Sequence, residues 1–166
     1  MQQHCHGEAI GGRLVIDYRT LDAPARGAYR LVQVQGHDQE RVVLEAYRHI
    51  QRQLGVDRIR EIMSKRSNRV YAVLNDREEW AGLIWLAEGD GSYGLPVGFI
   101  YLIAVRRNHR GQGIGRWLMN VADNWAKEQG YHAIELNVDG TNDVARRLYR
   151  TQGYEELRVR MRRVVR

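Results

Sequence analysis

Cysteine is nearly missing from this chain: Cys5 is the only one in 166 residues, so no internal disulfide framework exists. It stands in a polar stretch, residues 1–7, which leaves no positioned thiol for an acyl-enzyme intermediate. Proline is also scarce, with only Pro24 and Pro96, and no linker, repeat or low-complexity block divides the sequence. No run reaches the roughly 18 apolar residues of a membrane span. The first residues carry no apolar core of a secretory signal, so a cytoplasmic protein is expected. His4, Cys5 and His6 are too few ligands, on a chain end, for a metal centre, and no metal is expected. The hydrophobic share of 43% and charged share of 28% are those of an ordinary globular domain. A single domain over residues 1–166 is expected, with 1–12 as a flexible tail. Acidic residues are in deficit, 20 against 26 Lys and Arg, giving a net charge of +6 that favours anionic partners.

Against that background the periodicities stand out. Weak alternation over 14–19 and clearer alternation over 29–35 predict strands. Helical spacing begins at Asp38 and runs to Gly55, with Val42, Val43, Ala46, Tyr47, Ile50 and Leu54 on one face; a shorter helix is predicted over 57–65. Strand-like runs follow at 69–74, 80–87 and 97–105, separated by short turn sequences, so an antiparallel meander is expected. The third run is apolar on both faces, the mark of a buried central strand. Ile114, Trp117, Leu118, Val121, Ala122, Trp125 and Ala126 then recur at helical spacing until Gly130. A strand over 133–138 returns through that helix and is expected to pair in parallel. Thr141 or Asn142 caps a last helix over 143–152, and a final strand is predicted over 154–165, with Leu157, Val159 and Met161 alternating against Arg158, Arg160 and Arg162.

The chemistry gathers at Arg110-Gly111-Gln112-Gly113-Ile114-Gly115-Arg116, between a strand and a helix start. The first N–H groups of a helix lack intrahelical partners and carry the positive end of its dipole, so such a turn cradles an anion. Arg110 and Arg116 add full charges at either end, and a pyrophosphate suits the site. The loop is not a triphosphate-binding loop, for it lacks Gly-Lys followed by Ser or Thr; it is not a dinucleotide fingerprint, for Arg116 stands where the third glycine belongs.

Arg-x-x-Gly-x-Gly at Arg110–Gly115 resembles motif A of the GNAT superfamily of acyl-CoA N-acyltransferases. Asn142, Ala145, Leu148, Tyr149, Gly153 and Tyr154 follow in the spacing of that family's motif B. The resemblance covers about residues 70–161. It implies an α/β fold: a mixed sheet of six to seven strands, with an antiparallel N-terminal meander, a parallel pair formed by the family's fourth and fifth strands, and about four helices. It implies acetyl-CoA as acyl donor. The backbone of Ile103, Ala104 and Val105 would hold the pantetheine arm, and the stretch Arg110, Gly111, Gln112, Gly113, Ile114, Gly115 and Arg116 the pyrophosphate. Asn142 would support the coenzyme near the middle of the arm, and Tyr149 would stand by the sulfur as general acid.

Acyl transfer to an amine needs a neutral nucleophile, a polarised carbonyl and a proton for the leaving thiolate. A phenol, with an ordinary pKa of about 10, is protonated at neutral pH and suits the last role. The base is less well marked. Some relatives carry a Glu where this chain has Asn137, so Glu135, two residues earlier on the same strand face, is the first candidate. Tyr101 stands where others place a strand-borne Glu and is expected, with Asn137, to line the acceptor pocket. The expected acceptor is a primary amine on an amino-acid derivative, a peptide or protein, or a small molecule. Arg48, Arg52, Arg58, Arg60, Lys65, Arg66 and Arg69, offset only in part by Glu40, Glu45, Asp57 and Glu61, lean towards an acceptor bearing carboxylate or phosphate. The alternatives are a basic nucleic-acid-binding protein, for which no motif speaks, and a CoA-binding sensor without turnover. Neither nucleic acid nor membrane is expected as a partner, and the last strand, alone at an edge, suggests a homodimer.

Overall fold

The computed structural model describes residues 9–10, 13–14, 29–36, 38–49, 55–64 and 68–165. Five strands form one sheet in the order β3 (Arg30–Val34), β4 (Arg69–Leu74), β5 (Trp80–Asp90), β6 (Pro96–Val105) and β7 (Ile134–Leu136). The first four pair antiparallel and β6 pairs with β7 in parallel, as the short turns and the long crossover require. A separate two-residue ladder joins β1 (Ala9–Ile10) to β2 (Arg13–Leu14). The helices are α1 (Asp38–His49), α2 (Val56–Met63), α3 (Ile114–Gln129) and α4 (Asp143–Thr151).

Each face of the sheet buries a different set of helices. On one, Ile114, Trp117, Leu118, Val121, Ala122 and Trp125 of α3 are buried against Ile84, Leu86 and Ile100. Full burial of a side chain the size of Ile114, Leu118 or Val121 stabilises by about 1.5–3 kcal/mol. Gly82 lets the start of α3 close onto β5, because a Cβ there would stand 2.6 Å from Ile114 Cγ2. The helix mouth is therefore fixed in depth against the sheet. Gly130, at φ +75°, ends the helix, and Tyr131 N–H reaches back to Ala126 O at 2.9 Å. On the other face, Val43, Ala46 and Tyr47 of α1 and Ile59 and Ile62 of α2 pack on Leu83, Trp85 and Leu102. The Trp85 indole N–H is satisfied inside by Asn68 Oδ1.

Among the described residues the sheet has five strands, where the family resemblance implies six to seven. Residues 154–165 form no ladder, and Leu157, Val159 and Met161 stand exposed. The reason is geometric: β7 is only three residues long and offers little edge to pair with, and the alternating arginines keep the tail in water. Of the other early expectations, residues 15–19, 1–8 and 11–12 lie outside the described residues, as do the helix end at 50–54 and residues 65–67.

Candidate functional site

The last β6–β7 pair is Ile100 with Leu136, yet β6 continues for five more residues, a run of about 13 Å from Tyr101 to Val105 at ordinary strand rise. The two strands fork there. The ladder between β5 and β6 skips at the same place: Leu86 faces Ile100 and Trp85 faces Leu102, so Tyr101 is one residue too many. This is a β-bulge at the apex of the fork.

The bulge decides which amides face the opening. Gly98 N–H donates to Ala133 O at 3.0 Å, towards β7, whereas Arg106 N–H donates to Ala81 O at 2.9 Å, on the β5 side. In an unbroken strand two even-numbered residues point the same way; the extra residue inverts the alternation. Ile103 and Val105 thereby turn their backbone groups into the fork, while Ala104 between them turns towards β5. The side chains report the same inversion, since Ile100 packs on the α3 side and Leu102 on the opposite side.

From Val105 the chain passes one 3₁₀ turn, Arg107–His109, into the glycine loop. Gly111 (φ +76°) and Gly113 (φ +86°) hold left-handed conformations that open the mouth of α3, whose first-turn amides face outward. Arg110 Nε donates to Val105 O at 3.2 Å, tying the loop to the end of the fork, and Arg116 is exposed on the first turn. Arg106 is held apart from the loop: its guanidinium lies 4.3 Å above the Trp80 ring and 3.2 Å from Glu45 Oε1. Tyr29 braces the loop from the sheet side, donating to Gln112 Oε1 at 2.7 Å and standing 2.8 Å from His109 Nδ1.

α4 closes the far side. Asn142 caps it, accepting from Ala145 N–H at 3.2 Å, while Thr141 bonds to Asp139 instead. Asn142 is exposed, as is Asn137 beyond β7. Leu148 packs so close to α3 that a Cβ on Gly115 would stand 3.2 Å from its Cδ2. Tyr149, next to it, is 8% exposed, within the cluster that holds Ile114 and against which Ile103, Val105 and Leu136 pack. The predicted general acid thus belongs to the cluster on which the predicted arm-binding strand packs. The neighbouring Tyr154 ring is 5.9 Å away, and burial, with Asp123 and Tyr149 adding to it, holds the Tyr154 phenol far above its usual range.

Glu135 pairs with Phe99 below the fork, and both its oxygens accept from Ser92, at 2.9 Å from N–H and 2.7 Å from Oγ–H. Tyr101 forms an aromatic wall with Phe99 (4.8 Å) and Trp85 (5.1 Å). Burial pushes its phenol up; Arg58 opposes this, and Asp90, Glu61 and Glu88 add to the rise. Two of the helical arginines are paired, Arg58 with Glu61 at 2.6 Å and Arg60 with Glu40 at 2.9 Å, the partial offset expected from the sequence. Sequence patterns gave no sign of the bulge, of Tyr47 beneath it, or of the Tyr29 brace. Among the described residues no group of three His, Cys, Asp or Glu side chains gathers as a metal site, and no helix is long and apolar enough to cross a membrane.

The fold that carries this fork and glycine loop has known counterparts. The sequence profile of the Acetyltransferase (GNAT) family matches residues 36–154. The chain belongs to that family. It is 31% identical over 91 residues to the uncharacterized N-acetyltransferase YdgE of Bacillus subtilis, covering 55% of this chain and 57% of that protein. It is 35% identical over 65 residues to the mycothiol acetyltransferase of Kytococcus sedentarius, covering 39% of this chain and 22% of that protein. The chain therefore spans little more than half of the one relative and under a quarter of the other. Among solved structures, the aminoglycoside N-acetyltransferase AAC(6')-Iy in complex with CoA shares the fold, with a TM-score of 0.61 and 20% identity over 82% of this chain and 99% of that one.

Proposed function

We propose that this GNAT chain transfers an acetyl group from acetyl-CoA to a primary amine within a ternary complex. The observation that carries the reading is the open run of β6 from Tyr101 to Val105, leading from an aromatic wall to a helix mouth rich in free amides. A long thin arm ending in a pyrophosphate fits such a path, and no side chain stands within 4 Å of a Cβ built on Gly111.

Acetyl-CoA supplies the activated thioester. Amides from Gly111 to Arg116, with Arg110 and Arg116, hold its pyrophosphate; Ile103 and Val105, with Ala104 between them, hold the arm, and Asn142 approaches it with its free amide hydrogens. Fork amides polarise the carbonyl. As the amine nitrogen bonds to that carbon and the C–S bond breaks, Tyr149 gives its phenolic proton to the departing sulfur. Glu135 is the proposed base; Ser92 holds one lone pair on each of its oxygens and leaves the others open to a proton. Tyr101 and Asn137 line the acceptor side. With Cys5 the sole thiol, transfer is direct. A second copy of the chain is the proposed partner of the exposed tail at Leu157, Val159 and Met161; light scattering on the full chain reads a dimer, and a monomer rejects it.

Isothermal titration of the full chain with acetyl-CoA, followed by free-thiol release across a panel of amines, tests the reading. Uptake and acceptor-dependent thiol release are expected. Tyr149→Phe lowers kcat and leaves acetyl-CoA affinity nearly intact. Absence of coenzyme uptake rejects the proposal.

A further inference from the structure

A β-bulge leaves its extra residue outside the ladder, so the bulged carbonyl needs a partner from elsewhere. Here that partner comes from α1, 54 residues away: Tyr47 Oη donates to Tyr101 O at 3.0 Å. Tyr47 is 6% exposed, and its ring stands edge-on to Trp85 with centroids 6.4 Å apart. Trp85 in turn is the β5 residue at which the register slips. The hydroxyl is thus aimed by a buried ring against the residue that faces the bulge, and it grips the one carbonyl whose direction sets the inverted alternation. A peptide plane is rigid, so holding Tyr101 O also fixes the N–H of Leu102, and through it the start of the run in which Ile103 and Val105 face the fork.

We infer that Tyr47 is a positioning residue: by holding the carbonyl of the bulged Tyr101 it aims the fork amides at the acyl carbonyl, without touching either substrate. The inference rests on the acetyl-CoA reading given above. A bulge without this anchor has neighbouring pairings within reach, in which the extra residue moves along the strand and the amides of Leu102 and Ala104, rather than Ile103 and Val105, face the opening. Coenzyme held at its pyrophosphate would still bind, but its thioester would meet a poorly aimed amide.

The test separates aim from affinity and needs no acceptor. Acetyl-CoA labelled with carbon-13 at the acetyl carbonyl is bound to the wild-type chain and to Tyr47→Phe, which removes one oxygen and keeps the ring on Trp85. Isotope-edited infrared spectroscopy reads the carbonyl stretch, and calorimetry reads Kd on the same samples. The expected result is a red-shifted carbonyl in the wild type, at least half of that shift lost in Tyr47→Phe, and Kd within twofold. With any amine that supports turnover, kcat falls about tenfold, short of the 10²–10³ lost when an oxyanion donor itself is removed. Equal shifts in the two proteins overturn the inference, as does a fall in affinity that parallels the fall in kcat, which marks general loosening. A wild type that binds without any red shift also overturns it. A wild type that takes up no acetyl-CoA rejects the coenzyme reading itself, which is a different outcome from equal shifts in two proteins that both bind.

Discussion

Gly111 offers a clean perturbation of the anion cradle. Its φ is +76°, and nothing lies within 4 Å of a Cβ built on it, so Gly111→Ala introduces no clash. What remains is left-handed backbone strain, about 1–2 kcal/mol for an L-residue. The strain has two outlets. If the loop keeps its shape, the folded state carries the strain, and Tm falls by about 2–4 °C for each kcal/mol in a chain of this size. If the loop relaxes to negative φ, Tm is preserved and the cost moves to binding, where Kd for acetyl-CoA rises about tenfold per 1.4 kcal/mol. Converted to one unit, the two losses sum to about 1–2 kcal/mol. Gly111→Asn recovers most of the loss, because asparagine visits the left-handed region more readily. Scanning calorimetry and titration calorimetry on the same preparations give both numbers. A Gly111→Ala protein with unchanged Tm and unchanged Kd refutes the reasoning, and so does an Asn variant as impaired as the Ala one.

Further expectations bear on the other parts of the site. Glu135→Gln removes the acid limb of the kcat/KM profile against pH; a profile that keeps the limb assigns the carboxylate to its Ser92 bonds alone. Asn142→Ala deletes the α4 cap, costing about 1 kcal/mol, which lowers Tm by about 2–4 °C, and Asn142→Ser restores it; equal Tm for the Ala and Ser variants contradicts the cap. Burial holds the Asp123 carboxyl above its ordinary value, with Lys127 opposing. A raised folded pKa means that ionisation disfavours the fold, so the penalty is present above that pKa and fades as pH falls through it towards the unfolded value. Asp123→Asn therefore raises Tm at neutral pH, with a gain that disappears on acidification; a gain of equal size at pH 3 and pH 7 goes against the assignment.

Much of this molecule is readable from local pattern, and the exceptions share a cause. The α3 stripe from Ile114 to Ala126 and its stop at Gly130 follow from helical spacing and a left-handed cap, both encoded within one segment. The crossover from β6 through α3 to β7 follows from connection length. The bulge at Tyr101 does not: residues 99–105 read as an even apolar run, and the skipped pairing is set by how two distant strands and α1 fit together. Tyr47 likewise appears as one more apolar position on a helix face until its hydroxyl is seen to meet a carbonyl 54 residues on. The tail fails as a strand for a similar reason, since alternation at 154–165 states a capacity to pair and β7 supplies too short an edge. The Arg58–Glu61 pair is local, three residues apart on one helix, whereas the Arg60–Glu40 pair joins two helices and is seen only once they are packed together.

Tyr29 owns a single hydroxyl hydrogen, and it is spent on Gln112 Oε1, so the contact with His109 has to be donated from the imidazole Nδ1. The ring is therefore held as the Nδ1–H tautomer, with Nε2 on its opposite side. Tyr29 and His109 thereby fix each other's hydrogen direction, and the glycine loop is tied to the residue before β3 through two directed contacts.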